Sequence, residues 1–171
     1  MNLGASIFKV IKDKHLIYNH KMVKYTVKFN KKVPDRNASH KRRSAMRGYS
    51  TLKSIPKKQG HKLYKSKFKR YHYMTEPMPS SGLMATFINE TSDGKPQAFL
   101  GVMANSRPNW VRVTRWVALK GGGYGYILLK EVAEFYKKQG TRFSLKTRCD
   151  KVAGILRKKG WTEKENKSFE Y

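Results

Sequence analysis

Residues 111–139 read VRVTRWVALKGGGYGYILLKEVAEFYKKQ, and three elements follow from this one stretch. Val111 to Leu119 is rich in β-branched residues and Trp, which is the composition of a strand. Gly121, Gly122, Gly123 and Gly125 then cluster around Tyr124. After them Leu128, Val132, Phe135 and Tyr136 fall at i, i+4, i+7 and i+8, one apolar stripe of a helix, which Gly140 ends. A glycine loop between a strand and a helix brings backbone N–H groups to the positive end of the helix dipole, where no side chain holds a pyrophosphate away. A plain strand-to-helix turn can have the same composition. The loop lacks the Lys-Ser/Thr pair of a P-loop. No βαβ unit with an acidic ribose ligand precedes it, so the common nucleotide folds fit badly.

The flanks extend the pattern. Upstream, Leu83–Asn89 and Ala98–Ala104 read as strands joined by Thr91–Lys95, in which Asp93-Gly94 supplies the positive backbone angles of a hairpin turn. Downstream come a strand, Phe143–Thr147, and a helix capped by Asp150 and stopped by Gly160. Trp161–Tyr171 closes the domain as an edge segment. The fold class is α/β (α+β), a mixed central sheet flanked by helices. Nearer the N-terminus, Val23, Tyr25, Val27 and Phe29 alternate with Lys24, Thr26 and Lys28, a half-buried strand. Residues 35–60 carry few apolar side chains and read as a loop or induced-fit segment. Residues 61–73, HKLYKSKFKRYHY, fit an amphipathic helix that buries Leu63, Tyr64, Phe68 and Tyr71. They equally fit a surface whose rings stack on bases while its cations meet phosphates.

Charge sets the class of partner. The 171 residues hold 38 Lys and Arg against 11 Asp and Glu, a net charge of +27. Residues 1–70 carry 21 of the cations and 2 acids; residues 71–171 carry 17 and 9. The chain divides into a basic N-terminal segment, partly built into the fold, and a folded domain from residue 71. Such a field concentrates polyanions, and nucleic acid is the expected partner, with DNA favoured and tRNA the other choice. The contacts expected are Arg42, Arg43, Arg47, Lys57, Lys58, Lys65, Lys67, Lys69 and Arg70. No apolar run approaches a membrane span, and the lone Cys149 excludes a disulfide and a cysteine-built metal site. A cytoplasmic protein that uses neither metal nor membrane is expected.

Lys120-Gly121-Gly122-Gly123-Tyr124-Gly125 resembles the Arg/Gln-x-x-Gly-x-Gly/Ala cofactor loop of the GNAT acyltransferase superfamily, and Asp150 to Trp161 resembles that family's second cofactor motif. The resemblance covers about residues 82–171. It implies that Lys120 to Gly125 carry the pyrophosphate of acetyl-CoA or a related acyl-CoA, and that Val111–Leu119 presents the thioester to an acceptor amine. Two departures stand out. The strand before the loop has no Glu for a general base, only Arg112 and Arg115. Leu156 takes the place of the usual Tyr acid. A narrower resemblance is to the Mom DNA-modification proteins of bacteriophages, which alter the exocyclic amine of adenine to block restriction. It rests on His72-Tyr73, Thr114-Arg115, and Cys149-Asp150 with Gly160-Trp161. It implies functional roles for Tyr73, Arg115 and Asp150. Two other functions fit the same residues: a toxin-like transferase that acetylates aminoacyl-tRNA, and a non-catalytic basic nucleic-acid-binding protein.

Overall fold

In the computed structural model, residues 27–34, 49–72, 74, 76–79, 82–119 and 123–171 are described. They form one eight-stranded sheet with helices on both faces. The strands are β1 (Asn30–Pro34), β2 (Tyr49–Ile55), β3 (Leu83–Glu90), β4 (Pro96–Ala104), β5 (Trp110–Ala118), β6 (Arg142–Lys146), β7 (Thr162–Lys164) and β8 (Ser168–Glu170). The helices are α1 (Lys57–Leu63), α2 (Tyr124–Lys138) and α3 (Asp150–Lys158). The sheet order is β1-β2-β3-β4-β5-β6-β8-β7, antiparallel except for the parallel pair β5–β6.

The elements from β3 to α3 lie where the sequence puts them. Gly94, at φ 76°, turns the β3–β4 hairpin, and its N–H donates to the Thr91 carbonyl (2.9 Å). Gly140 and Gly160 close α2 and α3 in the left-handed region, followed by N–H bonds from Thr141 to Tyr136 O and from Trp161 to Leu156 O. One face of the sheet is covered by Leu128, Leu129, Val132 and Tyr136 of α2 with Ala153 and Leu156 of α3. On the other face Tyr64 and Phe68 pack with Ile88, Phe99 and Val117.

Four expectations change. Of the loop expected over residues 35–60, residues 35–48 lie outside the described residues, 49–55 form a strand and 57–60 begin α1; backbone pairing on both sides holds β2 in the sheet, with Leu52 and Ile55 buried. For the strand expected at 23–29, residues 23–26 lie outside the described residues. Val27–Phe29 lead into β1, tied by the Ser54 hydroxyl, which donates to Val27 O and accepts from Phe29 N–H. The expected closing segment is a hairpin: Asn166 and Lys167 turn at φ 55° and 53°, and it is β8 that pairs with β6. Asp150 is the first residue of α3 and not its cap; that position is Cys149, whose side chain makes no capping bond.

The helix from residue 57 changes pitch midway. After Leu63 it opens into a π turn, Tyr64–Phe68, then tightens into a 3-10 turn, Lys69–Tyr71. A uniform α-helix would align Tyr64, Phe68 and Tyr71 on one stripe. The altered steps keep Tyr64 and Phe68 buried but leave Tyr71 51% exposed under the Arg70 guanidinium. Gly60 fixes how closely α1 lies on the sheet. A Cβ there would come within 2.7 Å of the Thr86 Cβ and Cγ2. Thr86 cannot swing aside without losing its bond to the Ile55 carbonyl (2.9 Å). Gly60→Ala should therefore cost about 1–3 kcal/mol by overpacking, read from urea denaturation; unchanged stability would mean α1 is free to ride up from β3.

Candidate active site

The central feature is where β5 and β6 part. They pair only at Trp110–Arg142, Val111–Phe143 and Arg112–Ser144, after which β5 runs six residues further to Ala118. A bulge accompanies the parting. Gly101 faces Arg115 and Val102 faces Val113, so Thr114 is one residue too many on β5. Simple alternation would put Val111, Val113, Arg115 and Val117 on one face. With the bulge, Val111, Val113, Trp116 and Ala118 join the α2–α3 side, and Val117 joins the Tyr64–Phe68 side.

Between the parted strands lies a small cleft lined by His72, Thr114 and Trp116 on one side and Leu145, Thr147 and Val152 on the other. Trp116 links it to the start of α2, where its indole N–H donates to the Gly125 carbonyl (2.8 Å). Gly123 holds the cap position of α2 at φ 67°, with no atom of the described residues within 4 Å of where a Cβ would stand. The first turn of α2 contains no acidic residue and its N-terminus no side-chain cap, so no side-chain charge or cap among the described residues offsets the positive helix end. Gly125 has a packing role: a Cβ there would lie 2.7 Å from that of Ala118. Tyr124 is buried, and its carbonyl accepts from Asn89 Nδ2 (3.3 Å). Lys120, Gly121 and Gly122 lie outside the described residues.

His72, named in the sequence only through its pairing with Tyr73, belongs to a part-buried polar cluster. Its Nδ1 is 3.1 Å from the Tyr64 hydroxyl. Burial, and then the nearby charge of Arg115, push the imidazole down to about 4, against a smaller opposing effect of Glu76. Burial pushes the Tyr64 phenol up, while Arg115 opposes that. Arg115 is only 5% exposed. Its guanidinium donates to the carbonyls of Thr114 (2.8 Å), Pro77 (2.9 Å) and Glu76 (3.2 Å), while Nε finds no partner among the described residues. Arg115 thus fastens the 76–79 segment to the bulge and sets the field at Tyr64 and His72.

The other expected residues are placed apart. Asp150 is exposed, does not line the cleft, and pairs with Lys167 at 2.6 Å, which holds its carboxyl below the usual range. Leu156 is core. Tyr73, Arg42, Arg43 and Arg47 lie outside the described residues. Lys57, Lys58, Lys65, Lys69 and Arg70 are exposed and Lys67 half-buried along α1 and its continuation. Among the described residues there is no group of three His, Cys, Asp or Glu side chains able to hold a metal, and no helix long and apolar enough to cross a membrane.

This architecture is that of the GNAT acetyltransferases. An IAA acetyltransferase from Bacillus cereus superposes with a TM-score of 0.55 at 15% identity, over 68% of this chain and 79% of that one. A GNAT family acetyltransferase from Brucella melitensis, in complex with acetyl-CoA, gives 0.54 at 13% identity, over 71% and 86%. The ribosomal-protein-S18-alanine N-acetyltransferase from Escherichia coli gives 0.53 at 17% identity, over 67% and 79%. At these identities the likeness establishes the fold. No family model matches the sequence, and no curated protein matches it.

The depressed basicity of His72 has a thermodynamic consequence. In the folded chain the imidazole is neutral well below 6.5, whereas the unfolded chain takes up its proton near 6.5. Stability should therefore fall as pH drops from about 6.5 towards 4, where the folded form also protonates. The groups facing the imidazole are Tyr64, Arg115, Glu76 and, across the cleft, Lys146. His72→Gln should flatten this part of the acid limb in urea titrations run through that window. An identical limb in the variant would mean that His72 is not held neutral.

Proposed function

We propose that this protein is an acyl-CoA-dependent N-acyltransferase whose acceptor is an amine on a nucleic acid. The observation that carries the reading is the parting of β5 from β6, with His72 on the wall of the resulting cleft and Trp116 joining it to the uncapped start of α2. The chain fits acetyl-CoA or a related acyl-CoA in two respects. The open, left-handed Gly123 leaves a phosphate room to approach, and the first turn of α2 offers an anion no repulsion. The thioester supplies an activated acyl carbon and a good leaving group.

The residues of the chain do the rest. The unpaired edges of β5 and β6 orient a bound arm, and Trp116 keeps β5 in register with α2. His72 accepts the acceptor nitrogen's proton, its ring oriented by the contact between Nδ1 and the Tyr64 hydroxyl. A weak base suffices, because that proton becomes strongly acidic once nitrogen bonds to the acyl carbon. Tyr64 and Arg115 are positioning residues. The acceptor is assigned from charge. Polyamines and lysine peptides are repelled by a chain of +27, and the cations from Lys57 to Arg70 have no ion pair among the described residues. The resemblance to Mom proteins favours the exocyclic amine of adenine in DNA; the amine of aminoacyl-tRNA is the other acceptor of this class.

Calorimetry with acetyl-CoA should show binding to the native chain and none to Gly123→Asp, whose carboxylate opposes a phosphate; the left-handed backbone at Gly123 strains any side chain by about 1–2 kcal/mol, Asp less than most, and thermal melting of the variant should show that it remains folded. Mass spectrometry of nucleosides and tRNA from expressing cells should reveal an acyl adduct. We expect His72→Gln to lower its yield about 100-fold or more, and Asp150→Asn to keep most of it. Absence of acyl-CoA binding in the native chain would leave a basic nucleic-acid-binding protein on an acyltransferase fold.

A further inference from the structure

We infer that the cleft between α1 with its π turn and the Pro77–Met78 segment holds one nucleotide of the acceptor strand, the base lying on the apolar floor and the flanking phosphates on the lysine rim. This inference rests on the nucleic-acid acceptor of the proposed function.

The cleft has a volume of about 600 Å³, within the range of about 300–1,000 Å³ common for ligand sites. Its floor is formed by Tyr64, Pro77 and Met78, and its rim by His61, Lys62, Lys65 and Lys69. Lys62, Lys65 and Lys69, from three successive turns of changing pitch, all reach this one cleft. None has an ion pair among the described residues, in a chain where Asp93, Asp150, Glu90, Glu131, Glu134 and Glu163 are all paired. A row of cations without an ion pair among the described residues, beside an apolar floor whose exposed member is Pro77, Tyr64 and Met78 being buried, matches a strand of nucleotides: phosphates for the ammonium groups and the Pro77 ring for a base. An acidic peptide would satisfy the rim and leave the floor uncovered.

The place of the cleft gives it meaning. Tyr64 forms part of its floor, and the Tyr64 hydroxyl meets His72, which lines the cleft between β5 and β6. The two clefts share the Tyr64–His72 pair as a common wall. Pro77, on the floor of the nucleotide cleft, is held by Arg115 from the bulge on β5. A nucleotide seated there lies next to the proton-accepting group, and its neighbour on the strand is carried towards the thioester.

The test uses the full chain with short labelled single strands of DNA and of RNA of matched sequence. In fluorescence anisotropy, Lys62→Ala/Lys65→Ala/Lys69→Ala should weaken binding about tenfold or more beyond the loss from Lys158→Ala/Lys164→Ala, a control pair placed on α3 and β7, and should flatten the salt dependence. The tighter of the two strands identifies the source of the nucleotide. Strands carrying a thio-substituted base should crosslink under ultraviolet light to the peptide containing Tyr64 or to that containing Met78. Crosslinks confined to other peptides, a triple variant within about threefold of the control pair, or equally tight binding of polyglutamate would overturn the inference while leaving the acyl-transfer reading standing. No binding of either strand by the native chain would overturn both, whereas strand binding without acyl-CoA binding would remove the acyl-transfer chemistry and keep the cleft.

Discussion

Three residue pairs join β5 to β6, and everything assigned to the site follows from there being no more. A parallel pair that continued to Ala118 would satisfy its own backbone groups and leave nothing for a ligand to meet. The extra residue at Thr114 accompanies the separation, and it also decides which side chains face which helices. It sends Trp116 to the start of α2 and turns Arg115 towards the 76–79 segment. One backbone irregularity thus sets both walls of the cleft and the electrostatics behind it.

The charge of the chain is distributed with the same economy. The ion pairs formed by α2, α3, β7 and the outer strands lie at the surface, where solvent screens them and they contribute little to stability. Their effect is to neutralise much of the helical face that carries α2 and α3. The ridge from Lys57 to Arg70 contains no acidic residue at all. Among the described residues the unpaired cations are therefore densest beside α1, and such an arrangement would orient a polyanion before contact.

Much of the fold is legible in the sequence because its signals are local. The hairpin turn at Asp93-Gly94, the glycine stops of α2 and α3 and the apolar stripe of α2 each need only neighbouring residues, and each is where it was expected. What the sequence hides depends on contacts across long separations. β2 has too few apolar residues to announce itself and is a strand because β1 and β3 flank it. Alternation along β5 gives no sign of the bulge. The burial of Arg115 is matched by carbonyls 38 and 39 residues away, and the lowered basicity of His72 comes first from its burial and then from Arg115. Asp150 shows another long-range contact: the resemblance implied a functional role for it, and in the fold its carboxylate pairs with Lys167, 17 residues away.

Trp116 gives the molecule a built-in optical reporter. Its indole lines the cleft and is hydrogen-bonded to the first turn of α2, at the junction of the two parts of the candidate site. The other two indoles are differently placed: Trp110 lies between the guanidinium groups of Arg107 and Arg142, and Trp161 is buried against Phe143 and Tyr171. A change in emission colour or quenching on adding a small ligand therefore originates mainly from one ring. Occupancy of the cleft can be followed in real time on the native chain, with no dye attached and no turnover required.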